Sequence, residues 1–505
     1  MEVKNLTIKE LLTKYREISL LGKVSATLNW DLNVNMPPKA AQGRSEQLAY
    51  LAGVITEKWL ESGFRSLFEK ALEEKDLSEH EQAIVRNVGQ ATKFYYKVPK
   101  DLIVKKEEVT SQAFSVWSKA REKNDFSKFE PFLTQIVELN KEIAGHLGYK
   151  ENPYDALLDL HEPELTAADC ERLFDGMKGE LVSLMGRITS SKEYPEVVRF
   201  VNGETHYMQE KQKELSTRIA KKMGFDFTSG HLSVSPHPFT TELGPNDVRL
   251  TTMYNDTDFR ESYLATVHEA GHGLYEQNIN PEYMMTPLEG GVSLGIHESL
   301  SRFWENMIGK NPLFLENITP MLKETYSEQL RSLGVGELSK IVNHVKPSLI
   351  RIHADEVSYS LHIILRFEME NALMNGEITV KDSPEAWREK SKKLLGVAPE
   401  TDKEGILQDV HWTYGEIGYF PSYALGNVYG AQFLNAMKKN VDFDKEVGAG
   451  NLSSVKDWLD KNVHTHGSLY FPKELLKRAT GESLNHQYFI DYLREKYSAI
   501  YRLEE

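Results

Sequence analysis

The chain has 505 residues, 40% of them hydrophobic and 27% charged, a composition that excludes a disordered or fibrous protein. Its 60 basic against 75 acidic side chains leave a net charge of −15, and no basic stretch interleaved with aromatics stands out, which argues against nucleic acid as a partner. Cys170 is the single cysteine, so neither an internal disulfide nor a cysteine-rich zinc site is possible.

No apolar run approaches the roughly 18 residues that a membrane span needs. Met1-Glu2-Val3-Lys4-Asn5-Leu6 lacks the apolar core of a signal peptide. A cytoplasmic protein with no membrane partner is expected.

Helical periodicity dominates from the start. Between Ile8 and Leu21, apolar residues fall at three- and four-residue steps (Leu11, Leu12, Tyr15, Ile18, Leu21), and similar spacing recurs over 79–95, 102–121, 128–147 and 166–188. Pro37-Pro38 and Asn152-Pro153 interrupt the pattern, and Thr166 followed by Asp169 resembles a capping box. Between 228 and 260 the texture changes. His231–Ser235 and Val248–Tyr254 alternate polar and apolar residues, with Pro236, Pro238, Gly244 and Pro245 as turn punctuation between them. A small antiparallel sheet of about three strands is predicted there, and helices resume at Ser262. No linker, repeat or low-complexity tract divides the chain. It is read as mainly α, a single domain over 1–505 with a helical half 1–227, a β insertion at about 228–260 and a helical part 261–505.

His268-Glu269-Ala270-Gly271-His272 places two histidines one helical turn apart on one face. That spacing lets both imidazoles reach one zinc at about 2.0–2.1 Å. Glu269, beside the first histidine, suits the task of taking a proton from a metal-bound water, whose pKa zinc lowers to about 7. The bland alternative is a solvated face carrying two histidines and a glutamate. Against it stands the apolar stripe of Tyr263, Leu264, Val267, Leu274 and Tyr275, which predicts a buried helix whose histidines need polar partners.

A catalytic site of this kind needs a third ligand and an open position. The extended zincin pattern would put glycine at 275 and histidine at 278, where Tyr275 and Asn278 stand. The downstream acids are Glu276, Glu282, Glu289 and Glu298. Glu276 lies one more turn along the same helix, too far from the metal, and Glu282 follows Pro281 in a loop. Glu298 opens a second apolar-periodic segment (Leu300, Phe303, Trp304, Met307) and is the first choice, with Glu289 its main competitor. Met369-Glu370-Asn371 mimics the end of an aminopeptidase signature but lies after the motif helix, inside a helical pattern. A carboxypeptidase requires a cation for the substrate's terminal carboxylate, and Arg249 and Arg351 are candidates.

His268–His272 followed by His297-Glu298-Ser299 resembles the carboxypeptidase Taq family of zinc metallocarboxypeptidases. His237-Pro238-Phe239 is similar to its HPF motif, Asp247-Val248-Arg249-Leu250-Thr251 to DxRxT, Ile350–Asp355 to IRxxAD and Gly405–Trp412 to GxxQDxHW. Trp30-Asp31 with Met36-Pro37, and Tyr154–Asp159, extend the likeness to the N-terminal half; Asn35, where the family would have threonine, is a departure away from the metal residues.

The resemblance implies a large two-lobed helical peptidase with a deep groove, like neurolysin and angiotensin-converting enzyme in outline. It further implies a cytosolic homodimer that removes C-terminal residues from short peptides with broad specificity, proline disfavoured. His268, His272 and Glu298 would hold Zn2+, for which Co2+ or Mn2+ can substitute, and Glu269 would be the general base and acid. His237, Arg249, Arg351, Gln408, Asp409 and His411 would lie near the substrate terminus. Gly418–Tyr423 is similar to the tyrosine-bearing segment of the thimet oligopeptidase relatives, so Tyr423, and next Tyr419, would donate to the oxyanion. An internally cutting oligopeptidase and a helical binding protein with a structural zinc are the rival expectations.

Overall fold

The computed structural model describes residues 1–194 and 206–504. The N-terminal helix, Leu6–Val34, begins where the Asn5 side chain accepts the Ile8 N–H, and ends at Asn35 just before Pro37. The four predicted helices that follow form as Glu79–Lys97, Lys100–Lys123, Glu130–Leu147 and Ala167–Ser190. Thr166 caps the last of these, its hydroxyl accepting the Asp169 N–H at 3.1 Å. Asn152-Pro153 does more than interrupt the pattern. It starts the helix Pro153–His161, with Pro153 at a first-turn position where no N–H is missed. Among the described residues no helix is long and apolar enough to cross a membrane.

Contacts between Cα atoms divide the chain into two compact units, each assembled from three segments. One comprises Met1–Thr92, Asn202–Val342 and Phe433–Ser483; the other comprises Lys93–Val201, Asn343–Gln432 and Leu484–Glu505.

The first unit holds a three-stranded sheet of β1 (Gly230–Val234), β2 (Thr240–Gly244) and β3 (Asp247–Thr252), in the order β1-β3-β2. The expectation of an antiparallel sheet is corrected in one of its two pairings. β2 and β3 form an antiparallel hairpin, but β1 runs parallel to β3, with Leu232 opposite Leu250. The cause lies in the connection. Ser235–Phe239, carrying Pro236 and Pro238 that cannot donate to a ladder, takes the chain past β3 so that the hairpin inserts its second strand in the middle. The next helix, Phe259–Gln277, starts three residues before the expected Ser262 because Asp258 caps it through the Arg260 N–H. Tyr263, Val267, Leu274 and Tyr275 are buried on it as the apolar stripe requires, while Leu264 is half-buried.

The second unit is built on Glu356–Asn375, a helix buried on nearly all faces. Its Glu370 carboxylate accepts from Tyr154 Oη (2.5 Å), Trp412 Nε1 (2.7 Å) and the Gly418 N–H (3.0 Å). Gly418 has φ +92°, and a Cβ there would meet the Leu157 carbonyl carbon at 2.9 Å, so only glycine brings that N–H to the carboxylate. Met369-Glu370-Asn371 is therefore a packing element: Glu370 ties three segments together and Asn371 accepts from Asn152 Nδ2 at 2.9 Å.

Burial pushes the Glu370 carboxyl up to about 7, with the bonds from Tyr154, Gly418 and Trp412 pulling against it. A carboxyl that holds its proton more tightly when folded favours the folded state at low pH. That contribution is lost as pH rises from the ordinary value of 4.5 through about 7. Glu370→Gln leaves a donor facing the new amide and should cost roughly 1–3 kcal/mol in urea unfolding. It should also flatten the decline in stability over that pH interval; parallel stability curves for variant and parent would contradict this role.

Candidate metal centre

The motif helix Phe259–Gln277 lies against the helix Leu294–Arg302 at close range, and Gly271 is what permits it. A Cβ at 271 would stand 2.8 Å from Ser301 Cα and 3.0 Å from the Leu300 carbonyl oxygen. With the backbones that near, Glu298 reaches the histidine face. Its Oε2 lies 3.8 Å from His268 Nε2 and 3.7 Å from His272 Nε2. Among the described residues, these three side chains form the one group of three or more potential ligands that converge, their ligand atoms within 4.8 Å of one another.

Each imidazole is oriented through its other nitrogen. His268 Nδ1 lies 2.9 Å from Glu305 Oε2, and His272 Nδ1 lies 2.6 Å from His297 Nδ1. His297 in turn bonds Glu276 Oε1 through Nε2 at 2.7 Å. The donor assignments follow from the carboxylates: Glu276 and Glu305 only accept, so His297 donates to Glu276 and accepts from His272, and His268 donates to Glu305. Both Nε2 atoms thereby point their lone pairs toward Glu298.

Glu298 is held in place as well. Arg302 Nε donates to its Oε1 at 2.8 Å, leaving Oε2 toward the histidines, and Arg302 Nη1 reaches Glu305 at 3.1 Å. Lys310 Nζ donates to the other Glu305 oxygen at 2.9 Å. Glu305 belongs to a wide-turned π-helical stretch, Phe303–Gly309, that continues the Glu298 helix.

Burial opposes the Glu305 charge, but Lys310, Arg302 and His268 hold its carboxyl well below the usual range. Burial drives His272 far toward the neutral, ligating form, helped by His297 and His268. Burial acts on His268 in the same direction, yet Glu298 and Glu305 outweigh it and raise its pKa. Glu269 is buried, which raises its pKa, while His268 and the Thr240 hydroxyl at 2.6 Å resist. Four carboxylates (Glu269, Glu276, Glu298, Glu305) face two fixed cations (Arg302, Lys310) in this buried cluster. A divalent cation fits both the donor set and the charge that is left over.

Glu289, the competing ligand choice, is engaged elsewhere: Lys23 Nζ lies 3.3 Å from its Oε1, and the Met285 N–H donates to it at 3.1 Å. Sequence reasoning passed over Thr240, Arg302, Glu305 and Lys310, assigned no part to His297, and discarded Glu276 as a ligand without seeing it as the support of His297. Arg302 and Glu305 carried a signal, four and seven residues beyond Glu298 and so one and two turns along the same helical face.

The remaining expected site residues fall into two groups. His237 and Arg249 are in the unit with the histidines. His237 is exposed, its carbonyl accepting from Ser235 Oγ. Arg249 makes a two-pronged pair with Asp247 (2.8 and 2.9 Å) and lies over the Trp30 ring at 5.6 Å.

Arg351, Gln408, Asp409, His411, Tyr419 and Tyr423 cluster in the other unit. Asp409 is shared by Arg351 Nε (2.9 Å) and Arg366 Nε (2.7 Å), two buried cations that keep its carboxyl far below its usual range despite burial. Gln408 Oε1 accepts from the Arg351 N–H and from Arg366 Nη2. The Tyr423 and Phe420 rings lie 5.2 and 5.5 Å from the Arg351 guanidinium. His411 packs against Phe420, Tyr419 and Tyr423, and burial with the Arg351 charge lowers its pKa to about 4. Its Nδ1 is buried without a hydrogen-bond partner among the described residues.

A family model described as carboxypeptidase Taq (M32) metallopeptidase matches residues 10–497. Thermostable carboxypeptidase 1 of Pyrococcus furiosus is 42% identical over 496 residues, which cover 98% of this chain and 99% of the relative. Carboxypeptidase 1 of Bacillus subtilis is 39% identical over 497 residues, covering 98% and 99%. Among solved structures, an apo-Mg carboxypeptidase from Pyrococcus furiosus is similar with a TM-score of 0.94 at 42% identity, covering 98% of this chain and 99% of that one. The M32 carboxypeptidase from Deinococcus radiodurans R1 is similar with a TM-score of 0.94 at 33% identity, covering 99% and 100%.

Replacing His297 by alanine removes the acceptor that orients His272. Competition against a chelator should show metal affinity falling roughly 10–100-fold. Unchanged affinity would mean that the His272–His297–Glu276 chain does not support the ligand.

Proposed function

Because the chain belongs to the carboxypeptidase Taq (M32) metallopeptidase family, we propose that it is a zinc-dependent carboxypeptidase releasing C-terminal amino acids from short peptides. The observation that carries this is the convergence of His268 Nε2, His272 Nε2 and Glu298 Oε2 beside the buried Glu269 carboxylate. These three residues would hold the metal, which supplies Lewis acidity to a substrate carbonyl and to water. Zinc suits two imidazoles and a carboxylate, and Co2+ or Mn2+ can take the same donors.

Glu269 takes the proton from the attacking water and returns it to the leaving amine. Its burial favours this exchange, since a carboxyl with a raised pKa is a better proton acceptor. Arg351 receives the substrate's terminal carboxylate, with Asp409 fixing its guanidinium, Gln408 accepting from its backbone N–H and His411 beside it. Tyr423, and after it Tyr419, donates to the oxyanion. Arg249, which pairs with Asp247, and His237 have supporting parts near the substrate terminus.

Broad side-chain tolerance follows from a reaction that grips the terminus and the scissile amide. A C-terminal proline is disfavoured because its tertiary amide has no N–H. A deep groove that limits peptide length, a homodimer and a cytoplasmic location complete the proposal.

The test is hydrolysis of N-blocked dipeptides before chelation, after it and after metal add-back. Activity should vanish and return with the metal, releasing one free amino acid per turnover. Glu269→Gln should retain metal while turnover falls roughly 10²–10⁴-fold. Internal fragments from longer peptides, or near-normal turnover in the variant, would contradict the proposal.

A further inference from the structure

Thr240 opens β2, opposite Leu250 of β3. Its hydroxyl lies 2.6 Å from Glu269 Oε2 and 3.0 Å from the Glu269 carbonyl oxygen. A hydroxyl has one proton to give, and the shorter contact with the charged acceptor is the stronger. One carboxylate oxygen is thereby tethered, and the other is free to address water.

The strand that presents Thr240 is braced on both sides. Upstream, Phe239 exchanges bonds with Thr251: its N–H donates to Thr251 Oγ1 at 2.7 Å and its carbonyl accepts the Thr251 N–H at 2.9 Å. Ser235 Oγ lies 2.7 Å from the same Thr251 hydroxyl, which is completely buried. The Phe239 ring meets Trp30 edge-on at 5.5 Å, and Arg249 lies over the other part of that cluster. Downstream, Glu242 sits two residues on, on the same face of the strand as Thr240. It is ion-paired with Lys23 of the N-terminal helix, and Lys23 also reaches Glu289 in the loop that joins the two ligand-bearing helices. The segments His237–Thr240 and Asp247–Thr251, which carry no ligand, are thus built around the residue that tethers Glu269.

We infer that Thr240 is a positioning residue for Glu269, aiming its carboxylate through the hydrogen bond to Oε2. The inference rests on Glu269 acting as general base. A carboxylate free to rotate would spend most of its time misaligned, and small misplacements of a reacting group are costly.

The experiment compares Thr240→Val, which keeps the branched shape and loses the donor, with Thr240→Ser, which keeps the donor, in the metal-loaded enzyme on an N-blocked dipeptide. Thr240→Val should lower kcat roughly 10–100-fold with KM and bound metal unchanged, and Thr240→Ser should restore most of it. Parental kcat in the valine variant would overturn the inference. So would a serine variant as slow as the valine one, or a loss appearing in KM or in bound metal, since each would assign the effect to packing. Glu269→Gln in the same assay separates the two levels. If it remains active, the base assignment itself fails; if it is inactive while Thr240→Val is normal, only the positioning role fails.

Discussion

An imidazole has two nitrogens, and a helix bearing two histidines holds a metal well only when each ring has one nitrogen committed elsewhere. Here Glu305 and His297 take the Nδ1 atoms, and that commitment turns both Nε2 atoms toward Glu298. The rest of the unit serves this arrangement. Gly271 lets two helix backbones nearly touch, Arg302 holds Glu298 and Glu305 together, and Lys310 completes the charge balance around Glu305. The two histidines are not equivalent. One leans on a carboxylate that is firmly ionised, the other on a second imidazole that passes the bond on to Glu276. The directly supported His268 keeps a raised pKa, whereas His272 is held neutral.

Much of this was legible in the chain. The His268–His272 spacing, the buried stripe behind it and the choice of Glu298 over Glu289 all rest on helical periodicity, which burial enforces. The helices at 79–97, 100–123, 130–147 and 167–190 were legible for the same reason. Local alternation located the strands but not their order, because the sense of a pairing depends on where the connection runs. Glu305 stands two helical turns beyond Glu298, but that spacing marks a shared face without showing that the carboxylate supports His268 and not the metal. Thr240 was missed for a different reason. A threonine at the start of a strand is unremarkable until a helix close in sequence folds its glutamate against it.

The segments that resemble the carboxypeptidase family's motifs divide into two physical kinds. Trp30, Phe239, Arg249 and Thr251 form a brace of ring contacts, ion pairs and hydroxyl bonds around one strand. Arg351, Gln408, Asp409 and His411 form a dense charged cluster in which two guanidiniums share one carboxylate. Such a cluster is expensive to bury, and it is the one we propose to receive the substrate's terminal carboxylate. Tyr154, by contrast, serves stability: its hydroxyl binds Glu370, which in turn holds the segment of Trp412 and Gly418 that leads to Tyr419 and Tyr423.

The most direct test of the central arrangement is anomalous diffraction from crystals loaded with zinc, collected on both sides of the metal edge. The expected result is one strong site with His268 Nε2 and His272 Nε2 at about 2.0–2.1 Å and a Glu298 oxygen at about 2.0–2.2 Å, the Nδ1 atoms still bonded to Glu305 and His297. A metal bound through Nδ1, at Glu289, or at a site without both histidines would contradict it.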